Sequence, residues 1–217
     1  MPHRETGLPS NAERRNASRI VIRRVSDAPL AVRENPFYDS EIWGRAKSPE
    51  EIYLPDSDEA ISFAIAAHEI GHLVEAGARN DATLDNFEAT RAEEVRAWTA
   101  GWPYLERYLG EYYQGDPSSL ELIRDAFTKI RDLMMRATDL SKPMYVEQGA
   151  LAGVSDDEEE RLLIERRQKF SMEHGTEMRG IFDEIKATKI GRQPDWERFT
   201  TIVTKAVTDI LKDNVYV

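Results

Sequence analysis

No cysteine occurs in this chain of 217 residues. Disulfide bonds and thiolate metal ligands are therefore excluded, so a metal ion would have to be bound by histidines and carboxylates. No apolar run approaches the roughly 20 residues that a membrane-spanning helix needs, and residues 1–19 lack the apolar stretch of a secretory signal. These absences predict a cytoplasmic protein with no membrane partner.

Positive charge is also scarce, because 40 acidic residues outweigh 29 lysines and arginines and give a formal net charge of −11. This balance argues against extended nucleic-acid binding by the folded body. The N-terminus is the exception, with six arginines close together: Arg4, Arg14, Arg15, Arg19, Arg23 and Arg24. We predict that residues 1–18 form a flexible basic arm.

Two of the four histidines stand in the segment His68-Glu69-Ile70-Gly71-His72, which reads H-E-x-x-H. On an α-helix, residues four apart lie on one face, about 40° apart around the axis. Both imidazoles can therefore bind one ion, each through a nitrogen about 2.0–2.1 Å from Zn²⁺. Glu69 lies one step around the helix, where it could act as the general base on a metal-activated water.

The residues around this motif predict a helix. Asp56 is the expected N-cap, Glu59 completes a variant of the capping box, and Gly77 is the expected C-terminal stop. The alternative is that the two histidines are surface residues of an amphipathic helix. His68 shares a helical stripe with the apolar residues Ile61, Ala64 and Ile65, which favours a buried site.

A catalytic zinc site normally needs a third protein ligand. The pattern H-E-x-x-H-x-x-G-x-x-H is absent, because Glu75 and Ala78 occupy its glycine and third histidine positions. We therefore expect a carboxylate from a following helix, predicted over residues 87–102. Glu94 lies on the apolar stripe of that helix and is preferred, with Glu93 as the reserve. The alternative for each is an ordinary surface glutamate.

H-E-x-x-H followed some twenty residues later by E-x-x-A resembles the gluzincin-like zinc metallopeptidases, most closely the ImmA/IrrE type. The resembling block runs from about residue 20 to residue 109. In that family the two histidines and the later glutamate bind zinc, and the glutamate within the motif activates water. The resemblance implies these roles for four residues: His68, His72 and Glu94 as zinc ligands, and Glu69 as the catalytic base.

The chain also departs from that family. The family often has an asparagine after the alanine of E-x-x-A and then a Phe-Ala pair, whereas this chain has Trp98-Thr99-Ala100-Gly101. The helix-turn-helix domain that sometimes accompanies these proteases is not evident. The resemblance implies a zinc-dependent peptidase that acts on a protein or peptide. The alternatives are a peptidase-like binding module with structural or vestigial zinc, and a metal-free helical interaction protein.

The fold class predicted is α+β and predominantly helical. Candidate strands over residues 20–25, 41–45 and 51–54 would form a small sheet beside the H-E-x-x-H helix, with 51–54 as a guess for the substrate-binding edge. The second half is predicted to be all helical. Helices should start at Asp116-Pro117-Ser118 and at Ser155, and a last helix should cover about residues 194–212. We divide the chain into an arm (1–18), a zinc-peptidase-like core (19–115) and a helical cover or partner-binding module (116–217).

Two further residues could stabilise an oxyanion at the site. His174 lies on a helical stripe with Phe170 and Met178, and Tyr145 lies in a predicted loop over residues 138–154. A histidine on an apolar stripe is more often a core residue, and Tyr145 has only its loop placement in its favour. We expect the C-terminal helices to be the surface for any regulatory protein partner.

Overall fold

The computed structural model describes residues 20–28, 39–48, 51–74, 86–145 and 155–213, so the predicted arm lies outside the described residues. The protein is predominantly helical with a small three-stranded sheet, which confirms the predicted fold class. Short 3-10 turns lie at Val25–Asp27 and Lys142–Met144. The strands and helices are β1 (Val21–Arg24), β2 (Arg45–Ser48), β3 (Glu51–Leu54), α1 (Glu59–Val74), α2 (Phe87–Ala100), α3 (Trp102–Tyr112), α4 (Pro117–Leu140), α5 (Asp156–Lys186) and α6 (Trp196–Asp213).

The strand order is β1-β3-β2, with β1 parallel and β2 antiparallel to the central β3. The guess that residues 51–54 form the edge is therefore wrong. Among the described residues β1 and β2 are the two edge strands, and β2 is the one that contacts the H-E-x-x-H helix. Burial explains the order, because Ile52 and Leu54 are fully buried whereas β2 carries the exposed Arg45. Apolar strands belong in the centre of a sheet, and charged side chains are tolerated at its edge.

The strand predicted over residues 41–45 is also wrong. Residues 40–42 form a turn, and β2 begins only at Arg45. Asp39 causes the turn, because its carboxylate accepts a hydrogen bond from Glu41 N and its carbonyl accepts from Ile42 N and Trp43 N. Such an aspartate-centred turn competes with strand formation.

Helix α1 is the central element, and every residue from Glu59 to Gly71 is buried. Its N-cap is Asp58 and not the predicted Asp56, because Asp58 Oδ1 accepts from Ala60 N at 3.0 Å. The same carboxylate accepts from the backbone N–H groups of Ile190 and Gly191, ahead of α6. This tertiary contact fixes which aspartate caps the helix. The predicted stop at Gly77 lies outside the described residues.

The later helices follow the predicted starts. Asp116 caps α4 by accepting from Ser118 N, and Ser155 caps α5 by accepting from Glu158 N. One detail differs from the prediction of a loop over residues 138–154, since α4 continues to Leu140. Helix α5 runs unbroken through its glycines at residues 175 and 180. A Cβ at Gly180 would meet nothing within 4 Å, so this glycine marks an open face of the helix and not a break.

One cluster of buried apolar side chains joins the sheet to all the helices named above. It includes Ile52 of β3, Ile65 of α1, Ile130 of α4 and Phe199 of α6, so the core crosses the predicted boundary at residue 116. The division of the chain at that boundary stays a prediction. Within the described ranges, no helix combines the length and apolar character needed to cross a bilayer.

Candidate metal centre

Helices α1 and α2 pack backbone against backbone beside the H-E-x-x-H motif. A Cβ added at Gly71 would lie only 1.8 Å from the carbonyl oxygen of Ala97, and one at Gly101 would lie 1.8 Å from that of Ala67. Only a residue without a side chain fits at either position. This close approach brings the histidines of α1 within reach of the glutamates of α2.

Three predicted ligands converge where the helices meet. His68 Nε2 lies 3.1 Å from His72 Nε2, while Glu94 Oε2 lies 3.3 Å from His68 Nε2 and Glu94 Oε1 lies 3.7 Å from His72 Nε2. One ligand atom from each residue lies within 4.8 Å of the others. A tetrahedral ion with bonds of about 2.0–2.1 Å would separate its ligands by about 3.3–3.4 Å. The three side chains could therefore hold one metal ion.

The charges at this site also fit a cation. Burial, and then the neighbouring His72, hold the pKa of His68 well below its usual value, so its ring is neutral and able to bind a metal. Burial raises the pKa of Glu94 to about 8, and the nearby carboxylates of Glu69 and Glu93 add to this effect. Three acidic groups crowded in a partly desolvated site are the surroundings that a divalent ion would stabilise.

Glu93 faces the other side of the His72 ring. Its Oε1 lies 3.2 Å from His72 Nδ1, whereas Glu94 lies near Nε2. Both Glu93 and His72 are largely buried, with 13% and 12% of their side chains exposed. The geometry thus favours Glu94 over the reserve Glu93 as a ligand, although the choice between them stays a prediction.

His68 is positioned by a ring contact. Its imidazole stacks on Trp98 with the ring centres 4.3 Å apart and the planes 24° apart. Its Nδ1 is buried and has no hydrogen-bond partner among the residues that the structure describes. Trp98 is the residue at which the chain departs from the resembling family, and no local sequence signal indicated its contact with His68.

The predicted base, Glu69, lies between α1 and the edge strand. It is only 6% exposed, and its Oε2 accepts a hydrogen bond from Ala46 N of β2 at 2.5 Å. Gly44, just before β2, is close enough that a Cβ there would lie 3.1 Å from Glu69 Oε1 and 2.4 Å from Ile65 Cγ2. The carboxylate is therefore held in place by the strand that forms the sheet edge.

A cavity of about 620 Å³ opens over these residues. The start of β2 lines one side, from Ile42 to Ala46, and α4 lines another through Met134 and Thr138. No local sequence signal indicated that Met134 or Thr138 belongs to the site. Tyr145 and His174 do not belong to this lining in the described part of the chain; they pack on Phe87 and Phe170, respectively.

Replacing Gly44 by alanine should impair the site more than the fold. The added methyl group would press on Ile65 and on the Glu69 carboxylate, and displacements of about 1 Å near a reacting group can cost about 100-fold in rate. For the peptide hydrolysis that the motif resemblance implies, we expect kcat/KM to fall by about 10- to 100-fold. Gly110→Ala is the matched control, because a Cβ there meets nothing within 4 Å. Unchanged activity of Gly44→Ala would contradict the tight contact.

Comparisons of the chain with protein-family models, with curated proteins and with solved structures find no match. No relative therefore assigns a role to any of these residues. The functional interpretation depends on the geometry of the site and on the motif resemblance alone.

Proposed function

We propose that this protein is a zinc-dependent peptidase. The observation that carries the proposal is the convergence of His68, His72 and Glu94 beside the buried carboxylate of Glu69, at the base of an open cavity. Two histidines and one carboxylate form the donor set of a familiar class of catalytic zinc sites, which keep one further position open. A purely structural zinc site is more often closed by four protein ligands.

When bound, Zn²⁺ would polarise the scissile carbonyl and lower the pKa of a water molecule toward neutrality. In the proposed mechanism, a carboxylate oxygen of Glu69 takes the proton from the attacking water and then delivers it to the leaving amine. The hydrogen bond from Ala46 N fixes this carboxylate against β2, which lines the cavity. Its position therefore does not depend on a bound substrate. Because Glu69 is largely buried, its carboxylate is shielded from most of the bulk solvent.

The edge strand β2 supports a peptide as the substrate. It lies next to Glu69 and lines the cavity, and it has a strand partner on one side only among the described residues. An extended peptide could bind along such an edge as an added strand and reach the metal centre. The proposed location remains the cytoplasm, as expected from the composition.

Metal content provides the direct test of the site. The parent protein should bind about one zinc ion per chain, and His68→Ala and His72→Ala should each lose it, because one ligand is removed. Zinc at about 100 times its Kd should raise the free energy of unfolding of the parent by about 2.7 kcal/mol. Elemental analysis and thermal melts would measure both effects.

His174→Ala is the control for these variants, since it removes a histidine that lies outside the cavity. It should retain zinc and the stabilisation by zinc. A parent protein that takes up no stoichiometric zinc, even after reloading, would contradict the proposed metal centre.

A binding module with structural or vestigial zinc is the second candidate. Helix α5 favours it, because Met172 is 81% exposed and Ile164 is 46% exposed, and both are apolar side chains available to a protein partner. A broad peptide library separates the two functions. The peptidase should cleave some of its members when loaded with zinc, whereas a binding module should bind zinc and cleave none.

A further inference from the structure

We propose that Glu93 is a positioning residue that fixes the tautomer of His72, and so aims the ring nitrogen Nε2 at the metal. This inference rests on the proposed metal centre. Its first observation is the 3.2 Å contact between Glu93 Oε1 and His72 Nδ1, on the side of the ring that faces away from Glu94 Oε1. A carboxylate accepts hydrogen bonds and cannot donate them, so the ring must carry its hydrogen at Nδ1.

The backbone of α2 explains why two consecutive glutamates can have different roles. Adjacent residues on an α-helix point about 100° apart. Glu94 therefore lies near the Nε2 atoms of both histidines, while Glu93 lies near Nδ1 of His72. One glutamate is placed as a ligand, and the other is placed to orient a ligand.

The contact between the two histidines agrees with this assignment. Their Nε2 atoms are 3.1 Å apart, a hydrogen-bonding distance if one of the two rings carries a hydrogen at Nε2 in the metal-free protein. With the His72 hydrogen at Nδ1, as proposed, His68 Nε2 would be the donor to His72 Nε2 or to Glu94 Oε2, which lies 3.3 Å away. Nδ1 of His68 is then a bare nitrogen, in agreement with its lack of a hydrogen-bond partner among the described residues.

The two histidines are thus held in different ways. A hydrogen bond to Glu93 orients His72, whereas stacking on Trp98 orients His68. Residues that hydrogen-bond to a metal-ligating histidine commonly contribute 10- to 100-fold to metal affinity, because they set the tautomer and the direction of its ring. A substitution at residue 93 should therefore affect His72 and leave His68 largely unchanged.

Zinc affinity tests the role directly, measured by competition with a chromophoric chelator. Glu93→Ala should weaken zinc binding by about 10- to 100-fold. Glu93→Gln should restore most of the affinity, since its amide oxygen still accepts a hydrogen bond from Nδ1. Glu88→Ala is the control, because it removes an exposed glutamate from the same helix.

Three results of the zinc-affinity measurement would overturn the proposal. Parent affinity in Glu93→Ala would show that the hydrogen bond has no effect on the metal site. Loss of zinc from both Glu93 variants alike would identify Glu93 as a ligand. Loss of zinc from Glu88→Ala to the same extent would show a general effect of acidic charge.

Nitrogen NMR of the histidine rings in the metal-free protein provides a readout that needs neither zinc nor activity. In the parent, His72 should carry its hydrogen at Nδ1 and His68 at Nε2, at a pH of about 8, where rings of ordinary pKa are neutral. Glu93→Ala should shift His72 toward the Nε2–H form, because the carboxylate that accepts from Nδ1 is removed. If the parent bound no zinc, the proposed function would fail, yet this spectrum would still decide whether Glu93 sets the tautomer. An Nε2–H ring at His72 in the parent would overturn the inference.

Discussion

Replacing Glu69 by glutamine is expected to lower the rate of peptide hydrolysis by about 10²- to 10⁴-fold while zinc stays bound, the range that a positioned general base contributes. Glutamine has the shape of glutamate, and its amide oxygen can still accept the hydrogen bond from Ala46 N. It cannot take a proton from water at neutral pH. The variant therefore removes the base and leaves its surroundings intact.

The measurement is kcat/KM on a cleaved peptide, together with bound zinc and the thermal midpoint of the same preparation. His68→Ala provides the contrast, because it should lose zinc and hydrolysis together. A Glu69→Gln protein as active as the parent would exclude the proposed mechanism. Loss of zinc from Glu69→Gln would instead identify Glu69 as part of the metal site.

Replacing Gly71 by alanine is expected to cost about 3 kcal/mol of unfolding free energy, near the upper end of the about 1–3 kcal/mol typical of overpacked cores. The new Cβ would lie 1.8 Å from the carbonyl oxygen of Ala97, and backbone atoms cannot turn aside as a side chain can. Helices α1 and α2 must therefore separate. Because the ligands come from both helices, zinc affinity should fall as well.

Gly180→Ala is the matched control in urea or thermal unfolding. It makes the same chemical change within a helix, at a position where a Cβ meets nothing within 4 Å. Alanine is favoured over glycine in a helix by about 0.8–1.0 kcal/mol, so the control should be slightly more stable than the parent. If Gly71→Ala gained stability in the same way, the close packing of the two helices would be wrong.

The H-E-x-x-H helix and its acidic partner were predictable because both carry local signals. The spacing of His68 and His72 indicates one helical face, and the apolar stripe through Glu94 indicates a buried carboxylate. The structure brings these three residues together. The role of Glu93 was not predictable, since a helical stripe does not show which ring nitrogen a side chain approaches.

Three other features were not predictable from the hydrophobic pattern of the sequence: the cap of α1, the turn at Asp39 and the α4 wall of the cavity. The cap at Asp58, in place of Asp56, is set by its bonds to the backbone at residues 190–191, about 130 positions away. The turn at Asp39 displaced the predicted strand through local hydrogen bonds that β-propensity does not register. The α4 wall of the cavity is a tertiary contact of the same long-range kind.

That wall has a consequence for how the proposed enzyme could diversify. The groups proposed to bind the metal and to transfer the proton lie between residues 68 and 94, whereas Met134 and Thr138 reach the cavity from a helix that begins more than twenty positions later. Selectivity and bond-breaking would then be encoded in separate stretches of the chain. Substitutions at Met134 or Thr138 could change which peptide side chains the cavity accepts. The proposed metal ligands and the proposed base would stay the same.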